Sequence, residues 1–154
     1  AAPFGLWEDS DQIPDLFSIS LPELAAGMYA NVESEPAVAV ATAPSARMTE
    51  VDPDTDDGQA TISYLVERAK SMSTAAKYLW PIPNRGLSKR LHRVTQPALI
   101  IWGEKDGIVP PGYADRFAAK MPNAAVHVVP DAAHMVVDEQ PGHVAGLIES
   151  LLAR

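Results

Sequence analysis

Pro97-Ala98-Leu99-Ile100-Ile101-Trp102-Gly103-Glu104-Lys105-Asp106-Gly107-Ile108-Val109-Pro110 divides into an unbroken apolar run and a polar turn. The run is apolar at every position and stops at Gly103, the pattern of a strand buried on both faces. A carboxylate, Asp106, follows just past the strand's carboxyl end.

Downstream, the period changes twice. Tyr113 to Met121 has helical spacing with Phe117, Ala118 and Met121 inward, and Ala125 to Pro130 is a second short strand. Pro141 opens a last amphipathic helix through Val144, Leu147, Ile148, Leu151 and Leu152. Strand, helix, strand, helix implies parallel pairing with a right-handed crossover. Two strands are too few for a stable parallel sheet alone. The expectation is therefore the edge of a larger sheet, completed by a second copy or by a complementing N-terminal half, and a chain that is not a lone monomer.

Upstream, residues 1–93 have a different character, with helices joined by irregular stretches, and the division from residues 94–154 falls near Arg93. Ser20-Leu21-Pro22-Glu23 is a capping box opening a short helix with Leu21, Leu24, Ala25 and Met28 on one face. Residues 34–57 carry Pro, Ala, Thr and Asp without a sustained period and predict a loop. From about Gln59 to Trp80, Ile62, Leu65, Val66, Ala69, Met72, Ala76, Leu79 and Trp80 form one apolar stripe, expected to face inward. Asp56 or Asp57 can cap this helix, and Pro81 and Pro83 stop it. Asn84 can cap a further short basic helix containing Lys89, Arg90 and Arg93.

Composition narrows the function classes. A formal charge of −8 argues against nucleic acid or an anionic membrane as partner. The absence of cysteine removes disulfides, thiolate metal sites and a cysteine nucleophile. No apolar run approaches the roughly 18 residues of a spanning helix. Ala1 to Trp7 lacks the basic start and apolar core of a signal peptide, so the expected location is cytoplasmic.

The chemistry gathers at the strand ends. His134 lies in the loop after the second strand, in Pro130-Asp131-Ala132-Ala133-His134-Met135. In open α/β sheets functional groups converge at the carboxyl ends of strands, so Asp106 and His134 could meet there. The acid would then hold the ring's tautomer while the other nitrogen acts as base.

At these residues the chain resembles the α/β-hydrolase superfamily. The apolar strand with Gly-x-x-Asp and Val-Pro resembles that family's acid segment. Val129 to Pro141 resembles its histidine loop, running into the Glu-x-Pro of the last helix. Acid precedes histidine by 28 positions, with one helix and one strand between them. The resemblance covers about Pro97 to Arg154 and, more weakly, likens the first part to the helical cap or lid, with Pro3 to Trp7 as the exit from a preceding core strand. It implies an α/β fold, a small-molecule ester substrate, no cofactor and no metal. In the implied mechanism, serine attacks an acyl carbonyl, His134 shuttles the proton and Asp106 orients the ring. Two departures stand out: Ala133 replaces the usual glycine before the histidine, and no Gly-x-Ser-x-Gly or His-Gly-type oxyanion loop is present. The nucleophile half of the fold is thus expected to be missing. The rival expectation is a catalytically silent module that binds apolar ligands or a protein partner.

Other candidates weaken on inspection. Ser71 and Ser73 are helical and lack a strained elbow. Asp52-x-Asp54-x-Asp56 has the alternation of a calcium loop, but Asp57 stands where glycine is required and Ser63 where a bidentate Glu is required. Glu104 and Lys105 fit a solvated turn. His127 and His143 do not form metal spacing with His134 and fit surface positions. Trp7, Phe17, Tyr78 and Trp80 fit cap core better than pocket. Met135, beside His134, is the favoured substrate-facing residue, with Trp80 second.

Overall fold

The computed structural model describes residues 3–43, 51–79 and 86–153. Along the chain these form α1 (Leu21–Met28), α2 (Glu35–Ala41), α3 (Asp56–Leu79), β1 (Ala98–Gly103), α4 (Gly112–Ala118), β2 (Ala124–Val129), α5 (Val136–Glu139) and α6 (Pro141–Leu152). Two 3-10 turns, Leu87–Lys89 and Leu91–Arg93, precede β1 where a basic helix was expected. Trp80, Pro81, Pro83 and Asn84 lie outside the described residues.

The apolar run becomes β1 and pairs in parallel with β2, in register from Ala98 opposite Ala124 to Gly103 opposite Val129. Side chains alternate along a strand, and the two faces of β1 enter two different cores. Trp102 joins Leu6, Ile13, Leu91, Ile108, Val109, Tyr113, Ala114 and Phe117, with Ile100 and Val126 packed against them. Ile101 joins Val129, Ala132, Val136 and Val144, with Leu99 and Leu147 alongside. Helix α4 thus covers one face and α6 the other, the layering a parallel pair requires. Burial is complete only over Ile101, Trp102 and Gly103, however. Cover from both layers converges on the carboxyl end of β1, where the loops lie, and the strand's first half stays half-buried.

The segment before α1 is held on α4. The Tyr113 hydroxyl accepts the Glu8 amide at 3.0 Å and donates to the Asp11 carbonyl at 2.7 Å. Arg116 pairs with Asp11 at 2.8 Å and lies 4.6 Å over the Tyr113 ring. Burial raises the Tyr113 phenol above its ordinary pKa, so it stays a protonated donor. Helix α1 starts with the expected capping box, Ser20 accepting the Glu23 amide and Glu23 returning to the Ser20 amide at 2.8 Å. Helix α2 falls inside the stretch expected to be a loop. Seven residues are too few to show a period, yet Pro36 in the first turn and an Ala/Val run suffice, with the Val38 amide bonded to the Ser34 carbonyl at 2.9 Å.

Residues 1–41 and 82–154 form one compact unit and residues 42–81 another. In the second, Thr55 rather than Asp56 or Asp57 caps α3, its hydroxyl accepting the Gly58 amide at 3.1 Å. The two aspartates sit in the first turn, where carboxylates suit the positive helix end. The apolar stripe is not the buried face the spacing predicts. Ile62, Leu65, Met72 and Ala76 are half-buried, Ala69 is exposed and Val66 is 45% exposed. A period identifies the face that prefers cover, but burial also needs a facing layer of matching area. On the same helix Glu67 and Lys70 are exposed, paired at 2.7 Å, while Arg68 is half-buried. Tyr78 and Phe17, expected in a core, are exposed, whereas Trp7 packs against the Trp102 core.

Candidate active site

The acid loop is built by Asp106 itself. Its Oδ1 accepts the amides of Ile108 and Val109, both at 2.9 Å, a turn in which an aspartate side chain replaces a backbone acceptor. Trp102 closes the loop, its indole N–H donating to the Val109 carbonyl at 2.9 Å. The histidine loop is set against it by backbone. Glu104 donates to Val129 at 3.0 Å and Lys105 to Ala132 at 2.9 Å. Gly103 allows this approach, since a Cβ there would overlap the carbonyl oxygens of Ala132 and Ala133. Asp131 takes a left-handed turn conformation, φ 52°, at the loop entry. Its bond to Lys105 at 2.7 Å lowers the Asp131 carboxyl pKa and raises that of the Lys105 ammonium. Glu104 and Lys105 are exposed, as a solvated turn implies.

These two loops bring Asp106 and His134 together. His134 Nδ1 lies 3.0 Å from Asp106 Oδ2 and 3.2 Å from Oδ1. The acid's side chain is fully buried and that of the histidine 19% exposed. An ionised carboxylate only accepts, so the proton of this contact belongs to Nδ1 and the neutral ring keeps Nε2 as its basic nitrogen. The Phe4 ring stands edge-on to the imidazole, centroids 6.1 Å apart. With the carboxylate anchored by two backbone amides, the pair can hold one tautomer and move a proton at Nε2.

Of the remaining sequence candidates, Met135 is half-buried beside His134, its amide donating to the Met28 carbonyl at 2.9 Å. Trp80 lies outside the described residues. Ser71 and Ser73 are exposed on α3, and His127 and His143 are exposed as well. Among the described residues no three His, Cys, Asp or Glu side chains gather as metal ligands, and no helix is long and apolar enough to cross a membrane. Two participants had no local signal in the sequence. Phe4 reaches His134 across nearly the whole chain. Glu139 accepts the Ala133 amide and the Ala30 amide, each at 2.7 Å. Its place in Glu-x-Pro was visible, but its partners were not.

A parallel strand pair layered by helices, with an acid and a histidine meeting at its carboxyl end, has its polar groups where sites of open α/β sheets form. The family model for the alpha/beta hydrolase fold matches residues 40–141, and the chain belongs to that family. Among curated proteins it is 35% identical over 65 residues to an uncharacterized hydrolase, YugF, of Bacillus subtilis, covering 40% of this chain and 24% of that protein. It is 34% identical over 67 residues to the monoacylglycerol lipase ABHD6 of Mus musculus, covering 44% of this chain and 20% of the lipase. The matched stretch thus spans a quarter or less of these relatives' length. Among solved structures, a thermophilic esterase from Thermogutta terrifontis is 30% identical over 47% of this chain and 26% of its own, with a TM-score of 0.43. A second thermophilic esterase is 21% identical over 87% of this chain and 51% of its own, with a TM-score of 0.49.

Proposed function

We propose that this chain supplies the acid and the base of a carboxylic ester hydrolase that acts on a small-molecule ester by a Ser-His-Asp mechanism. The observation that carries the proposal is the bond between a fully buried Asp106 carboxylate and His134 Nδ1 at adjacent parallel strand ends. In this mechanism the serine hydroxyl attacks the acyl carbonyl and His134 Nε2 takes its proton. The imidazolium then protonates the departing alkoxide, and water repeats the sequence on the acyl-serine. Asp106 holds the ring and stabilises its charged form throughout. Similarity to a protein named monoacylglycerol lipase supports an acyl ester as the bond cleaved. Met135, next to His134, is the residue proposed to face the substrate, with Trp80 as a second. Residues 1–93 are proposed to act as cap or lid and residues 94–154 as core.

No Gly-x-Ser-x-Gly occurs in the sequence, so the mechanism needs a nucleophile from outside these residues. The same fact favours a second reading, a catalytically silent module binding an apolar ligand or a protein through the edge of β1 that has no strand partner among the described residues. Turnover of a chromogenic short-chain ester by the whole gene product, against its His134→Ala variant, separates the two. Loss of turnover in the variant supports the hydrolase. Turnover that survives the substitution refutes it.

A further inference from the structure

We propose that Glu139 is a positioning residue that fixes His134 against Asp106 by clamping the histidine loop to the end of α1. The proposal rests on the hydrolase reading for its functional meaning, while its test does not require turnover. The residues on both sides of His134 are bonded through their amides. The Ala133 amide donates to Glu139 Oε2 at 2.7 Å, and the Met135 amide donates to the Met28 carbonyl at 2.9 Å. Glu139 Oε1 accepts the Ala30 amide at 2.7 Å, so one carboxylate joins the histidine loop to the residues that follow α1. The acid loop reaches the same segment, the Gly107 amide donating to the Gly27 carbonyl at 3.1 Å. Gly27 and Gly107 permit that contact, since a Cβ on Gly107 would come within 2.8 Å of the Gly27 Cα. Residues 27–30 therefore tie the two loops that carry the pair.

The side-chain chemistry is specific. Both partners of Glu139 are N–H donors, and only a carboxylate presents an acceptor to each. Glutamine keeps one acceptor and turns its NH2 group toward the other amide. Aspartate keeps both acceptors but is one methylene short. Ala133 is fully buried, so loss of this acceptor strands its amide and favours a shift of the loop.

The test is proton NMR of the chain labelled with 15N-histidine, following the low-field His134 Nδ1 proton and its exchange with water. In Glu139→Gln and Glu139→Ala the resonance is expected to shift and its exchange to quicken at least tenfold. Met121→Ala, which loosens the core on the other face of β1, where no histidine-loop residue takes part, should leave both unchanged. Should Glu139→Ala not fold, Glu139→Gln decides. An unchanged resonance and exchange rate in folded Glu139→Gln overturns the proposal. So does an equal response in Met121→Ala, or the lack of a bonded Nδ1 proton in the wild-type chain. If the signal answers to Glu139 while ester turnover survives His134→Ala, the positioning role stands and the hydrolase reading fails.

Discussion

His134 turns Nδ1 toward Asp106 Oδ2 at 3.0 Å, although 28 positions of chain separate them. The acid's other oxygen is engaged by the Ile108 and Val109 amides, so its orientation does not depend on the histidine alone. Asp106→Asn separates position from chemistry. Asparagine can keep the two amide bonds through its carbonyl oxygen but then offers an NH2 donor to Nδ1, favouring the Nε2–H tautomer. The expected outcome is an unchanged melting temperature with a reversed tautomer in the 15N spectrum. A retained Nδ1–H tautomer would contradict this account of the pair.

Gly103→Ala tests the close approach of the histidine loop. Its methyl group would meet the Ala132 and Ala133 carbonyl oxygens, which are backbone and cannot rotate away. Overpacking of this kind costs about 1–3 kcal/mol. A lower denaturant midpoint at unchanged slope is expected, with a disturbed His134 resonance. Wild-type stability in the variant would mean that the loops do not press on the strand end.

Val66→Asp tests the exposure of the α3 stripe. A charge at a buried position costs several kcal/mol, whereas a change at a surface site stays within about 0.5 kcal/mol. Val66 is 45% exposed, and a carboxylate there would lie one turn before Lys70, a favourable order. A melting temperature within a few degrees of wild type is expected. Loss of folding would restore the fully buried stripe that the spacing predicts.

Among the described residues β1 pairs with β2 alone, leaving its other edge with unpaired backbone groups. Self-association or a complementing chain is the expected remedy. Light scattering over a dilution series should find dimers or larger species, or a stable complex with a complementing segment. A monomer at every concentration, with no dye-binding apolar patch, would refute this.

Features written in neighbouring residues were legible in advance. The unbroken run before Gly103, the Ser20–Glu23 box and the Pro141 start of α6 each carry their own physical signal. So did the acid and histidine, because each follows a strand end at which such groups converge. Contacts between distant residues left no such trace. The Ala30 amide meets Glu139 across 109 positions, and nothing near either residue announces it. Helix α2 was missed because about two turns are too few to show a period. The α3 stripe misled for the opposite reason, since a clear period says nothing about what covers it.

The most direct measurement is kcat/KM for ester hydrolysis by the whole gene product, its Asp106→Asn and His134→Ala variants, and the double variant. Members of a triad act as a unit, so their losses do not multiply. Asp106→Asn is predicted to lose about 10⁴-fold, His134→Ala at least as much, and the double variant no more than His134→Ala alone. Losses that multiply, or turnover that persists without His134, would contradict a working Asp106–His134 pair.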